Sequence, residues 1–265
     1  MHVSRLSRTL LAFLLWAAAL YVLLCVALLV FQRSLIYFPQ PRTIDNPNTL
    51  LKLPIEDAEV LVSTRPLEGR NALIYFGGNG EDVSLNLPEF SQAFRDHALY
   101  LLHYRGYGGS SGSPTEEAIQ ADALALFDQV YAQHPCTVVV GRSLGSGVAV
   151  RLASQRPAAR LILITPYNSI QELAQSRFPY IPVQWLLKDK FESWKYARQI
   201  EVPTLLILAA EDKVIPRASS DALYGHFQPG VARLAVIPAA GHNDLSQRPE
   251  YLRLIESGLC PGSVP

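Results

Sequence analysis

The sequence predicts an α/β fold, with a mostly parallel, doubly wound sheet preceded by one membrane-spanning helix. Three observations carry this. Short apolar β-type runs recur at 72–76, 99–104, 137–141, 161–165, 204–209 and 233–237, after an early strand at 59–64. Helix-like segments fall between most of them, at about 87–96, 114–133, 144–155, 217–227 and 249–257. Continuous apolar strands alternating with helices describe a sheet covered on both faces. The third observation is the stretch 10–31, which carries no charge.

As a helix, that stretch spans about 33 Å at 1.5 Å per residue. A bilayer hydrocarbon core is about 30 Å thick. A cleaved signal peptide is the alternative, since Ala17-Ala18-Ala19 offers small residues for cleavage. A signal h-region is about 7–15 residues long, however, and this run continues well past it. Cys25 follows Leu24 rather than the small residue that lipoprotein processing needs. The expectation is an uncleaved signal anchor over 1–32 and the α/β domain over 33–265. Arg5 and Arg8 precede the apolar run and Arg33 follows it. That bias places the N-terminus in the cytoplasm and the domain on the non-cytoplasmic side, periplasmic or lumenal. Residues 33–54, rich in Pro and Asn, read as a connector. Within it, Leu35-Ile36-Tyr37-Phe38 suits either the membrane interface or an edge strand.

The 23 basic and 23 acidic residues balance, which argues against nucleic acid as a partner. A chain of 265 residues can bury one large core, and a monomer is expected. The three cysteines, Cys25, Cys136 and Cys260, lack metal-ligand spacing. Cys136 and Cys260 could form a disulfide in an oxidising compartment or remain two thiols. Ser113-Pro114-Thr115-Glu116 reads as a capping box with Pro at the first helical position.

The chemistry centres on Gly141-Arg142-Ser143-Leu144-Gly145, between the apolar run Thr137-Val138-Val139-Val140 and a helix-type run. A serine at a sharp strand-to-helix turn is held in strained backbone, and the flanking glycines allow close approach of strand and helix. Its hydroxyl needs a base to become nucleophilic. That base is normally a histidine oriented by a carboxylate. Strand 204–209 runs into Ala210-Glu211-Asp212, and Asp212 is the expected acid, with Glu211 as rival. Of six histidines, His242 follows the last strand, in Gly241-His242-Asn243-Asp244. His2 precedes the apolar run, and His97, His134 and His226 lie at helix ends. His103 ends a strand but comes before Ser143, the wrong order for this triad. Oxyanion donors are expected from the backbone N–H of Leu144 and of Asn79, in Gly77-Gly78-Asn79-Gly80. No Lys-Ser/Thr follows that glycine-rich loop, so it is not a phosphate cradle.

An insertion at 166–194 interrupts the strand–helix alternation. It is rich in apolar residues (Phe178, Tyr180, Ile181, Val183, Trp185, Leu186 and Leu187) and reads as a lid or as an ordinary packed excursion.

On Gly78-Asn79, Tyr104-Arg105-Gly106-Tyr107-Gly108, Ser111-Gly112-Ser113-Pro114, the serine pentapeptide, Glu211-Asp212 and Gly241–Asp244, residues 32–257 resemble an α/β-hydrolase-superfamily serine hydrolase. The resemblance is to the membrane-anchored branch that includes protein depalmitoylases and lysophospholipid lipases. It implies the triad Ser143, Asp212, His242 and hydrolysis of a carboxylic ester or thioester, with no cofactor or metal. Two positions depart from the family. Gly77 stands where His-Gly often precedes the oxyanion residue, and His103 stands where Asp or Asn is usual. The competing readings are a non-catalytic membrane scaffold on the same fold and a serine peptidase. A dehalogenase-like relative would carry an acid in place of Ser143.

Overall fold

The computed structural model describes residues 5–260; His2 lies outside them. The first helix, α1 (Arg5–Ile36), is followed by β1 (Leu50–Ile55), β2 (Ala58–Arg65) and β3 (Asn71–Phe76). Then come α2 (Leu87–Ala93), β4 (Ala98–Leu102), α3 (Glu116–Tyr131), β5 (Cys136–Arg142), α4 (Leu144–Ala153) and β6 (Arg160–Ile164). The insertion forms three short helices, α5 (Ile170–Arg177), α6 (Val183–Leu186) and α7 (Ser193–Ala197). The chain closes with β7 (Thr204–Ala209), α8 (Arg217–Tyr224), β8 (Ala232–Ile237) and α9 (Pro249–Ser257).

The eight strands make one sheet in the order β1-β2-β4-β3-β5-β6-β7-β8. From β4 to β8 all pairs are parallel, whereas β2 runs antiparallel to both neighbours. Each central strand alternates its side chains between two cores. Val139 of β5 packs with α3, α4 and α8, while Val138 and Val140 face α2 and α9 on the other side. From β3 the chain crosses first to β4 on one flank and then to β5 on the other. That reversal opens a crevice at the carboxyl ends of β3 and β5, where doubly wound sheets bind ligands.

Three local expectations are corrected. β1 lies inside the segment read as connector. Its Pro54 looks like a strand breaker, but β1 is an edge strand, where a missing N–H is tolerated. Leu35–Phe38 is not an edge strand: α1 runs to Ile36, past residue 32, and Tyr37 is buried in the core. The N-cap of α3 is Thr115, whose hydroxyl accepts from Ala118 N at 3.0 Å. Ser113 does not cap it, because α3 begins at Glu116, so the cap falls on Thr115, and the Glu116 carboxylate accepts from Phe191 N at 2.9 Å. Cys136 and Cys260 are joined by a disulfide. It ties the start of β5 to the segment just after α9.

Candidate active site

Ser143 sits between β5 and α4 with φ 50° and ψ −117°. This conformation is strained for an L residue and persists only where its surroundings enforce it. Ser143 N donates to Ile164 O at 2.8 Å, and Ser143 O accepts from Ser146 N and Oγ. The two glycines are steric necessities. A Cβ on Gly145 would lie 2.1 Å from Phe76 O, and one on Gly141 would lie 2.3 Å from Gly145 O. The elbow therefore brings α4 against the ends of β3 and β5 and turns the Ser143 side chain toward the crevice.

The structure brings together the three residues singled out from sequence. His242 Nε2 lies 3.0 Å from Ser143 Oγ, and His242 Nδ1 lies 2.8 Å from Asp212 Oδ2. Asp212 is nearly buried. Its Oδ1 accepts from Val214 N and Ile215 N, both at 2.8 Å. Burial alone would raise its pKa. The bond from His242, the Ile215 and Val214 N–H groups and the charge of His242 outweigh burial, and hold the carboxyl below its ordinary 3.8. An ionised carboxylate only accepts, so Nδ1 carries the imidazole proton. Nε2 is then free to accept from the Ser143 hydroxyl. Glu211 points to solvent, with its backbone N–H on Ala240 O. His103 is buried, bonded through Nε2 to Ser63 Oγ at 2.8 Å, and its pKa is depressed to about 4 by burial. It is a packed structural residue: a Cβ on Gly108 would lie 2.1 Å from its Nδ1.

The backbone N–H groups of Asn79 and Leu144 donate to no acceptor among the described residues, and both residues line the cavity that holds Ser143. The loop carrying Asn79 is held from several sides. Its carbonyl accepts from Phe38 N and Tyr107 Oη, and its side chain donates to Ile36 O. Tyr104 Oη donates to Gly77 O. The tyrosines of the Tyr104–Gly108 motif are thus buttresses of this loop. Gly77, one of the departures from the family pattern, is required by packing, since a Cβ there would sit 2.5 Å from Val83 Cγ1.

Sequence reading missed Glu81 and Arg142. Glu81 Oε2 accepts from Gly78 N at 2.7 Å and faces Arg142 Nη1 at 3.5 Å. Its Oε1 takes Tyr75 Oη and Asn86 Nδ2. Arg142 Nη2 reaches the His242 carbonyl at 3.2 Å. This half-buried pair connects the loop of Asn79 to the loop of His242. The available signal was a charged residue beginning an elbow after an apolar strand, which must find a partner when buried. Arg142→Gln is expected to lower kcat/KM about 10- to 100-fold, mainly through kcat. Ester hydrolysis by the purified variant checks this, and a change confined to KM would contradict it.

The cavity at Ser143 has a volume of about 680 Å³ and is lined mainly by apolar side chains of α1 and the 166–194 insertion. This is within the ~300–1,000 Å³ of typical small-molecule sites. Among the described residues, no group of three or more His, Cys, Asp or Glu could hold a metal ion.

A doubly wound sheet with a serine elbow at its switch point defines an α/β hydrolase, and the comparisons agree. The serine aminopeptidase (S33) model, Hydrolase_4, matches residues 89–199. Protein Rv2307c of Mycobacterium tuberculosis is 32% identical over 232 residues, covering 80% of this chain and 81% of that protein. The lysophosphatidylserine lipase ABHD12 of Xenopus tropicalis is 30% identical over 222 residues, 73% of this chain and 55% of the lipase. The chain thus spans about half the length of that lipase. The Pyrococcus furiosus esterase Pf2001 superposes with a TM-score of 0.65 at 18% identity, over 84% of this chain and 99% of the esterase. The chain belongs to the α/β-hydrolase superfamily, and its relatives there include a lipase.

Proposed function

We propose that the protein is a membrane-anchored serine hydrolase that cleaves carboxylic esters or thioesters through an acyl-enzyme. The observation that carries this reading is the unbroken hydrogen-bond chain from Asp212 through His242 to Ser143. Ser143 Oγ attacks the carbonyl carbon while His242 Nε2 takes its proton. The carbonyl oxygen, now anionic, is received by the Asn79 and Leu144 N–H groups. Asp212 stabilises the imidazolium, which then protonates the departing alkoxide or thiolate. A water molecule, deprotonated by His242, attacks the acyl-Ser143 ester. The carboxylic acid leaves, and the serine regains its proton.

Residues 33–265 form the catalytic domain in this reading, with 166–194 as its lid. Helix α1 is the anchor: within Arg8–Ile36 an 18-residue stretch has a mean hydropathy of 2.8, and no residue of that stretch is buried. The disulfide between Cys136 and Cys260 favours an oxidising compartment, and with Arg5 and Arg8 ahead of the span it supports a periplasmic or lumenal domain. The apolar cavity and the lipase among the relatives support an acyl-lipid substrate met at the bilayer.

Serine peptidase is the second reading, because the matching family model bears that name. A panel of p-nitrophenyl esters, acyl thioesters and aminoacyl p-nitroanilides, run on the purified full chain, separates the two. Ester or thioester turnover without anilide turnover is expected. The reverse pattern would establish the peptidase. Failure to react with a fluorophosphonate would leave the scaffold reading.

A further inference from the structure

Helix α1 is about 48 Å long at 1.5 Å per residue, whereas a hydrocarbon core needs about 30 Å. Counted from Leu10, just after Arg8, a perpendicular span leaves the core near residue 29. The catalytic domain does not begin there as a body hung from a thread. The lid grips the side of the helix well before its end. Gln32, a polar residue within the apolar helix and only 7% exposed, donates Nε2 to Leu186 O at 3.1 Å and accepts from Lys188 N at 2.6 Å. Arg33 pairs with Asp189 at 3.0 Å. Farther back, Tyr21 Oη donates to Tyr180 O at 2.8 Å. Tyr21 lies roughly 12 Å inside the point where the span leaves the core. The lid tip therefore stands at membrane depth. It presents Tyr180, 88% exposed, and Trp185, 82% exposed, large apolar surfaces whose contact with lipid removes them from water.

The same helix lines the cavity at Ser143. Leu28, Gln32, Leu35 and Ile36 form one wall, with Ile181 and Leu186 of the lid among the residues that complete it. We propose that α1 is a wall of the acyl-binding site as well as a tether. The ligand is the long acyl chain of a membrane-resident ester or thioester. It passes from the leaflet along Leu28 and Leu35 while its carbonyl reaches Ser143. An apolar chain that moves from lipid into this cavity never has to enter water, where its exposure is unfavourable. The inference rests on the serine-hydrolase reading above but goes beyond it, since that reading would hold equally if the anchor took no part in the site.

The test uses the full chain in lipid nanodiscs and a palmitoyl-length fluorophosphonate carrying a mid-chain diazirine. The probe should bond to Ser143 and, on irradiation, crosslink to the α1 peptide containing Leu28 or Leu35. A Ser143 adduct whose crosslinks fall on the lid alone overturns this inference and leaves the hydrolase reading standing. Absence of any Ser143 adduct overturns both. A second measurement is independent of the probe. Leu28→Trp and Leu35→Trp should each lower the ratio of kcat/KM for palmitoyl over acetyl esters about tenfold. Val30→Trp, on the opposite face of α1 and 65% exposed, should not move that ratio. Equal ratios in all three variants and the wild type would contradict the assignment.

Discussion

Ser143→Ala is expected to lower the turnover of a short p-nitrophenyl ester by at least about 10⁴-fold, with KM little changed. In the proposed mechanism the hydroxyl is the atom that bonds to the substrate. Without it, the Asn79 and Leu144 amides would remain to bind a carbonyl, but no acyl-enzyme could form. Effects in such a unit are strongly non-additive, so Ser143→Ala and the double variant with His242→Ala should be similarly inactive. The measurement is initial rate against enzyme concentration for purified protein in detergent, with thermal unfolding to show that the fold persists. Alanine fits the elbow sterically, because the strain resides in the backbone.

Asp212→Asn is expected to cost about 10⁴-fold in kcat while the geometry survives. An asparagine Oδ1 can still accept from Val214 N and Ile215 N, as Asp212 Oδ1 does. Its Nδ2 would then face His242 Nδ1 as a donor. The imidazole proton would be driven to Nε2, where it points at Ser143 Oγ, and the base would be lost. Stability supplies a second readout with a definite sign. The folded-state pKa of Asp212 is depressed. Its contribution is therefore present above the ordinary value of 3.8 and lost as pH falls through the lower folded-state value. The difference in unfolding temperature between wild type and Asp212→Asn should be constant near neutrality and shrink below about pH 4. A gap that widens on acidification would contradict the assigned network.

The sequence was most legible where chemistry is local. The run Thr137–Val140, the glycines at 141 and 145 and the helix after them lie within a few residues, and each constrains the same backbone. The choice of Asp212 over Glu211 also had a local basis, because a shift of one residue at the end of a strand turns a side chain to the other side. Apart from Ser143, Asp212 and His242, whose order along the chain marked them out, pairings across long separations were not legible. Glu81 and Arg142 are ordinary charges until β3 and β5 become neighbours. Cysteine spacing alone left Cys136 and Cys260 undecided between a bridge and two thiols. Pro54 concealed β1, since a proline excludes a central strand but not an edge. Gln32 is a single polar residue in an apolar helix, and nothing near it in the chain announces that Leu186 and Lys188 will bond to it. Ser113 and Thr115 both satisfy an N-cap preference, and the helix starts after the second, at Glu116.

The central claim is a covalent one, so the most direct measurement is of the covalent species. A slowly deacylating p-nitrophenyl ester, quenched with acid within the first turnover and digested, should leave its acyl mass on the peptide containing Ser143 in the wild-type chain. The burst of p-nitrophenol should match that occupancy. Steady turnover with no acyl group on Ser143, or with the acyl mass on another residue, would contradict the account.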